Sequence, residues 1–177
     1  NENQLNQLDV SKNINLGYLD VSDNKLTELD ITKNTKLSDL YINFNQLTNL
    51  DVSKNIDLDE LNVSYNLLTE IDVNSNLKLT LLVVSSNKLS TLDVSKNDGL
   101  NVLVVSENQL VNLDISKNKN LIWVNASYNE LTELDISNNL NLEDLDVSNN
   151  QLVEINVSNN LNLIELDVVN NQLSEID

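Results

Sequence analysis

Apolar and polar positions recur along the chain with a fixed period. Asparagine occurs in steps that alternate between 11 and 10 residues, at positions 13, 24, 34, 45, 55, 66, 76, 87, 97, 108, 118, 129, 139, 150, 160 and 171. The full period is therefore 21 residues. Self-similarity at a period of about 20 to 50 residues predicts a solenoid, in which each repeat forms one turn of a coil.

Each repeat has two halves with different patterns. The first reads LxxLxVxxNxL, as in residues 58–68, and the second reads LTxLDVSxNxx, as in residues 47–57. Both alternate apolar and polar residues over their centres, which predicts a strand with one buried face in each half. Stacked turns would bury the Leu, Val and Ile side chains in one continuous interior. We expect the asparagine side chains to point inward and to exchange hydrogen bonds with the backbone of adjacent turns.

The first half resembles the signature segment of the leucine-rich repeat family. It recurs at residues 16–26, 37–47, 58–68, 79–89, 100–110, 121–131, 142–152 and 163–173. The nested second half is similar to the short 21-residue repeats of internalin-like and other bacterial surface proteins. The resemblance implies a mainly β right-handed superhelix of about eight turns, with a parallel sheet on the concave side and short extended segments on the convex side. It also implies that the sheet recognises a partner, and that the protein is extracellular or lies at the cell surface.

The repeat occupies essentially the whole chain, so residues 1–177 are predicted to form a single leucine-rich repeat solenoid. The sequence starts and stops inside a repeat, and neither end reads as the polar cap that a solenoid end needs. We therefore expect a segment of a longer protein whose caps lie outside this sequence. Uncapped ends would also permit end-to-end self-association.

Composition narrows the function further. The chain has no cysteine and no histidine, which argues against a zinc site, a haem, a thiol nucleophile or a serine triad. Its formal charge of −18, from 28 acidic residues and 10 lysines, disfavours binding to nucleic acid. No apolar run approaches the roughly 20 residues of a membrane span. We predict a binding protein that needs no cofactor or metal and is not an enzyme.

The predicted ligand-binding residues are outward-facing. All six aromatic residues occupy outward positions of the first half-repeat, and in the middle turns aliphatic residues replace the acids and amides of the outer turns. The predicted site comprises Tyr18, Tyr41, Phe44, Tyr65, Leu81, Val83, Val102, Val104, Trp123 and Tyr128. Aromatic residues are enriched at binding interfaces, so the predicted ligand is a protein or a carbohydrate. A different interpretation is a structural spacer, in which these side chains only pack against one another or against a flanking domain.

Acidic residues raise three further hypotheses. An Asp column marks the second half-repeat, at Asp9, Asp30, Asp51, Asp72, Asp93, Asp114, Asp135 and Asp177. Each Asp either closes its own turn, which we favour, or contributes to a row of calcium sites. Adjacent acids such as Asp144 and Asp146 could serve a glycosidase, but we expect an open sheet not to raise the pKa of either acid. Residues 120–177 contain 11 acids and no lysine, which would steer a basic partner towards the aromatic surface.

Overall fold

The computed structural model describes residues 3–176, and the following account concerns those residues. They form eight short parallel strands in one sheet, arranged in chain order. The strands are β1 (Tyr18–Asp20), β2 (Asp39–Tyr41), β3 (Glu60–Asn62), β4 (Leu81–Val83), β5 (Val102–Val104), β6 (Trp123–Asn125), β7 (Asp144–Asp146) and β8 (Glu165–Asp167). Each strand residue pairs with the strand residue 21 positions further on, as Leu61 does with Leu82. The predicted solenoid and its 21-residue register are confirmed.

The core is a stack of Leu, Val and Ile layers contributed by both halves of the repeat. In the middle turns the central strand residues, such as Leu82 and Leu103, are completely buried. The second half contributes a parallel layer that includes Val73 and Val94. Each fully buried leucine contributes about 1.5–3 kcal/mol to stability, so the many repeated layers hold the stack together.

The second half-repeat contains no strand in residues 3–176, although its alternating pattern predicts one. Its backbone groups bond locally instead of pairing with the next turn. The amide of Asn55 donates to the carbonyl of Val52, and the amide of Leu58 donates to the carbonyl of Asn55. The amide of Ser53 is taken up by the side chain of Asp51 at 2.8 Å. Because these donors are used within the turn, no ladder forms, and the segment runs as extended chain and turns.

The two asparagine columns differ in their hydrogen bonding. In the first half, Asn66 accepts from the amide of Leu47 and donates to the carbonyls of Ile42, Val63 and Ser64. This arrangement matches the expected exchange between turns. In the second half the amide nitrogens also donate to carbonyls of earlier turns, but the Oδ1 atoms are buried without a hydrogen-bond partner. These atoms belong to Asn34, Asn55, Asn76, Asn97, Asn118, Asn139 and Asn160. The expectation that every asparagine both donates and accepts is therefore wrong for this column.

A left-handed bend follows every strand. The residue three positions after the last strand residue has a φ of 50° to 57° in all eight turns. This bend column comprises Asp23, Phe44, Tyr65, Ser86, Glu107, Tyr128, Asn149 and Asn170. Backbone bonds between turns continue through it, as in the amide of Tyr65 donating to the carbonyl of Ser85 at 2.9 Å. The bend therefore holds its side chains at the same regular spacing as the strands.

Candidate binding surface of the sheet

The middle strands form an apolar surface on the outward face of the sheet. Strand pairing places Leu81 beside Val102, Val83 beside Val104, and Val102 beside Trp123. The four aliphatic side chains are half-buried, and Trp123 is 42% exposed. We call these five residues the central patch. An exposed apolar cluster on a chain with a charge of −18 is a feature that usually marks an interface.

A tyrosine pair lies at the N-terminal end of the same face. The rings of Tyr18 and Tyr41 have centroids 5.7 Å apart and are tilted by 45°. The hydroxyl of Tyr41 donates a hydrogen bond to the carboxylate of Glu60 on the next strand. That bond, together with burial, raises the pKa of Tyr41 well above its ordinary value of 10.0. Tyr41 is therefore fixed by its neighbours, whereas Tyr18 is 58% exposed and more available for contact.

Three of the six aromatic residues lie in the bend column and not in the strands. Phe44, Tyr65 and Tyr128 have φ values of 53° to 55° and are 45–59% exposed. The rings of Phe44 and Tyr65 are stacked, with centroids 4.2 Å apart and an interplanar angle of 10°. The sequence pattern predicts all six on one strand face, whereas these three lie at the rim of that face. The same column contains Asp23 and Asn149, and aspartate and asparagine are residue types that tolerate a left-handed backbone. Their recurrence at this position is the sequence signal for the bend.

Two polar residues that the sequence pattern did not single out occupy the two turns after the stacked rings. Ser86 follows Tyr65 in the bend column, and its hydroxyl donates to the Oε2 atom of Glu107 at 2.9 Å. Neither residue belongs to a charged or aromatic motif along the chain. The signal that links them is the 21-residue spacing of the bend column, which places Ser86 between Tyr65 and Glu107.

The C-terminal end of the sheet is acidic. The outward residues of β7 and β8 are Asp144, Asp146, Glu165 and Asp167. Burial, and then the charges of Glu165 and Asp146, raise the pKa of Asp144 above its ordinary value. The expectation that the open sheet would not raise the pKa of Asp144 is therefore wrong. Its neighbours are acids, so the rise reflects charge repulsion as well as lost solvent.

The Asp column closes its own turns. The amide of Thr32 donates to Asp30 at 2.9 Å and its hydroxyl donates at 2.7 Å. These bonds hold the pKa of Asp30 below 3.8, and the charge of Lys33 lowers it further while burial opposes both. The same bond to the amide two residues later recurs at the other described members of the column, and Asp177 lies outside the described residues. Within residues 3–176, no three acidic side chains converge as a calcium site would require.

The 21-residue period, the parallel sheet and the inward asparagine column define a leucine-rich repeat solenoid. The structure is similar to the functional domain of InlJ from Listeria monocytogenes, with 43% identity and a TM-score of 0.96 over 98% of this chain and 39% of that one. It is also similar to a leucine-rich repeat protein of Leptospira interrogans, with 28% identity and a TM-score of 0.93 over 99% of this chain and 53% of that one. The chain belongs to the bacterial leucine-rich repeat family.

The same solenoid fold occurs in a plant receptor. A plant peptide hormone receptor, RGFR1 in complex with RGF2, is similar at 26% identity and a TM-score of 0.80, over 93% of this chain and 30% of the receptor. No protein-family profile matches the chain, and no curated protein matches it. The InlJ domain includes a cysteine ladder, whereas this chain has no cysteine and therefore lacks that feature. The chain spans less than two thirds of each of these structures.

No helix in residues 3–176 has the length and apolar character needed to cross a membrane.

Proposed function

We propose that this chain is a non-catalytic module of an exported or surface-displayed protein, and that it binds a protein partner through the outward face of its sheet. The central patch carries this proposal, because it places five contiguous apolar side chains on the face of a strongly acidic protein. Large, rigid aromatic groups beside a dry aliphatic floor are typical of binding hot spots. The full proposed site remains the ten residues predicted from the sequence.

The bend column supports the same proposal. A left-handed conformation costs a non-glycine residue about 1–2 kcal/mol, and asparagine or aspartate adopts it most readily. Phe44, Tyr65 and Tyr128 nevertheless occupy this conformation with half-exposed rings. A spacer would gain nothing from bulky residues at strained, solvent-facing positions. The bend itself recurs in all eight turns, so it is the choice of aromatic residues at three of them that supports a contact role.

A protein partner is favoured over a carbohydrate by the chemistry of the patch. Leu81, Val83, Val102 and Val104 offer no hydrogen-bonding side-chain group, and sugar hydroxyls require such groups to replace water. The similar plant receptor is seen in complex with RGF2, which supports a binding role for this type of solenoid. The acidic surface of β7 and β8 beside the patch favours a partner with basic residues.

The experiment compares matched variants on arrays of extracellular proteins and of glycans. Val102→Lys places a charge in the central patch, whereas Val111→Lys places the same charge at a 44% exposed position in the second half-repeat. We expect the wild type to bind protein ligands on the array, and we expect Val102→Lys or Trp123→Ala to lower the affinity for them about tenfold or more. The control Val111→Lys should bind as the wild type does.

Three other outcomes would contradict the proposed protein-binding role of the sheet. Protein binding that survives Val102→Lys in a folded variant would place the interface away from the sheet. Binding to glycans alone would make the carbohydrate alternative correct. A chain that binds neither array would favour the spacer.

A further inference from the structure

The stack formed by the rings of Phe44 and Tyr65 ends at Tyr65 on the side of the following turns, and Tyr65 is 45% exposed. The rings belong to consecutive members of the bend column, and their centroids are 4.2 Å apart. This separation corresponds to one turn of the solenoid, because neighbouring strands lie about 4.8 Å apart. A planar group one turn further on would therefore continue the stack at the same interval.

The next member of the column is Ser86, whose side chain is too small to fill that position. The turn beyond it carries the exposed carboxylate of Glu107, which accepts a hydrogen bond from the Ser86 hydroxyl at 2.9 Å. The column thus presents the exposed ring of Tyr65, a small residue, and then a carboxylate. Within residues 3–176 the one ion pair joins Lys78 to Asp57, so no ion pair of this part of the chain neutralises Glu107.

We infer that the space over Ser86, between the ring of Tyr65 and the carboxylate of Glu107, binds the guanidinium group of an arginine side chain from a protein partner. This inference rests on the proposed function, since it assigns one subsite of the same surface. A guanidinium is planar, stacks on aromatic faces and pairs with a carboxylate through two parallel hydrogen bonds.

Other groups fit this position less well. A lysine ammonium is compact and not planar, so it would pair with Glu107 without continuing the stack. A neutral aromatic ring would continue the stack but would remove water from the carboxylate of Glu107 without replacing its hydrogen bonds. An anion would be repelled by Glu107 and by the overall charge of −18.

The test uses three small probes and nuclear magnetic resonance of the isotopically labelled chain. The probes are the N-acetyl amides of arginine, lysine and citrulline, of which citrulline keeps the planar group of arginine without its charge. We expect the arginine probe to shift the signals of residues 65, 86 and 107 in a saturable way. It should bind about threefold or more tightly than the other two, consistent with one cation–π contact.

Variants locate the subsite and separate it from general attraction of cations. Tyr65→Leu and Glu107→Gln should each weaken arginine binding about threefold or more. Matched controls remove an apolar side chain and a carboxylate from exposed positions of the second half-repeat, in Ile56→Ala and Glu133→Gln, and should leave binding unchanged. Ser86→Phe fills the space with a ring of the chain itself, so it should abolish the saturable shifts while keeping the stack intact.

Equal binding of the arginine and lysine probes would overturn the inference, because it would show attraction by charge alone. Shifts centred on the acidic surface of β7 and β8, or arginine binding that persists in Ser86→Phe, would also overturn it. The titration needs no protein partner. A negative titration would therefore overturn the arginine subsite without deciding the proposed function, which the array experiment tests. A negative array experiment would in turn leave the titration as the test of the subsite.

Discussion

The two asparagine columns are expected to differ in their contribution to stability, although the sequence presents them as equivalent. The comparison is between Asn66→Ala in the first column and Asn76→Ala in the second. Both side chains are buried, with relative exposures of 5% and 0%, so both truncations leave cavities of similar size. The difference between the two variants therefore reports hydrogen bonding.

Truncating Asn66 leaves one buried donor without an acceptor. The amide of Leu47 donates to the Oδ1 atom of Asn66 at 3.0 Å, and this acceptor disappears in the variant. The carbonyls that Asn66 contacts keep other donors, as Ile42 does from the side chain of Asn45. An orphaned buried amide costs about 1–3 kcal/mol, which adds to the lost bonds.

Truncating Asn76 orphans nothing. Its amide nitrogen donates to the carbonyls of Val52 and Asn55, and each of these still accepts from a backbone amide. The variant also removes an Oδ1 atom that has no partner. The two amide protons of Asn66 are shared among three carbonyls, and the two of Asn76 serve two carbonyls, so the donated bonds are similar in number. The variants should therefore differ by the cost of the orphaned Leu47 amide, about 2 kcal/mol.

Urea unfolding followed by circular dichroism measures this difference, provided that the slope of the transition is the same in both variants. In thermal unfolding, we expect the melting temperature of Asn66→Ala to lie about 4–8 °C below that of Asn76→Ala. A second pair, Asn87→Ala and Asn97→Ala, repeats the comparison one turn further on. Equal losses of stability in both pairs, or a larger loss for the second column, would refute the reasoning.

Three further predictions concern the core, the bend column and the Asp column. Leu103→Asp places a charge at a completely buried position and should cost more than about 4 kcal/mol in urea unfolding, whereas Val111→Asp at a 44% exposed position should change stability by less than about 0.5 kcal/mol. Tyr128→Asn should raise stability by about 0.5–1 kcal/mol, because asparagine tolerates the left-handed bend and no stacked ring is lost; a drop in melting temperature would contradict this. Hydrogen bonds from the backbone and then the side chain of Ser95 lower the pKa of Asp93. The charged form of Asp93 therefore stabilises the fold at a pH above the ordinary pKa of 3.8, and this stabilisation is lost as the pH falls through the lower pKa of the folded state. Thermal melts should therefore show the wild type losing stability relative to Asp93→Asn on acidification, and parallel pH profiles would show that the charge of Asp93 has no such role.

Periodicity alone was sufficient to predict the register of the whole solenoid. Because every core position recurs after 21 residues, the pairing of Leu82 with Leu103 follows from the sequence without knowledge of the turns. Alternation was less informative, since it predicts a strand in both halves. The outcome depends on where the backbone amides donate, and in the second half side chains such as Asp51 take them up before a ladder can form.

The candidate site could be predicted as a set of residue types but not as an arrangement. The exposed aliphatic residues of β4 and β5 follow directly from the pattern, because replacing acids by Leu81 or Val102 on an outward face is visible in the sequence. The displacement of Phe44 and Tyr65 to the rim was not predicted. Their positions depend on a backbone φ that the aromatic residues themselves disfavour, so the bend is specified by the rest of the repeat and not by them.

This separation of framework and surface explains how one repeat can carry a local site. The inward asparagines and leucines determine the backbone, including the left-handed bend, and leave the outward side chain of each turn unconstrained. The bend column can therefore hold asparagine at position 149 and tyrosine at position 65 on the same backbone. The surface chemistry changes from turn to turn while the spacing stays constant. The proposed binding surface accordingly lies in turns whose outward residues depart from the acids and amides of the other turns, and these turns carry the central patch and the stacked rings.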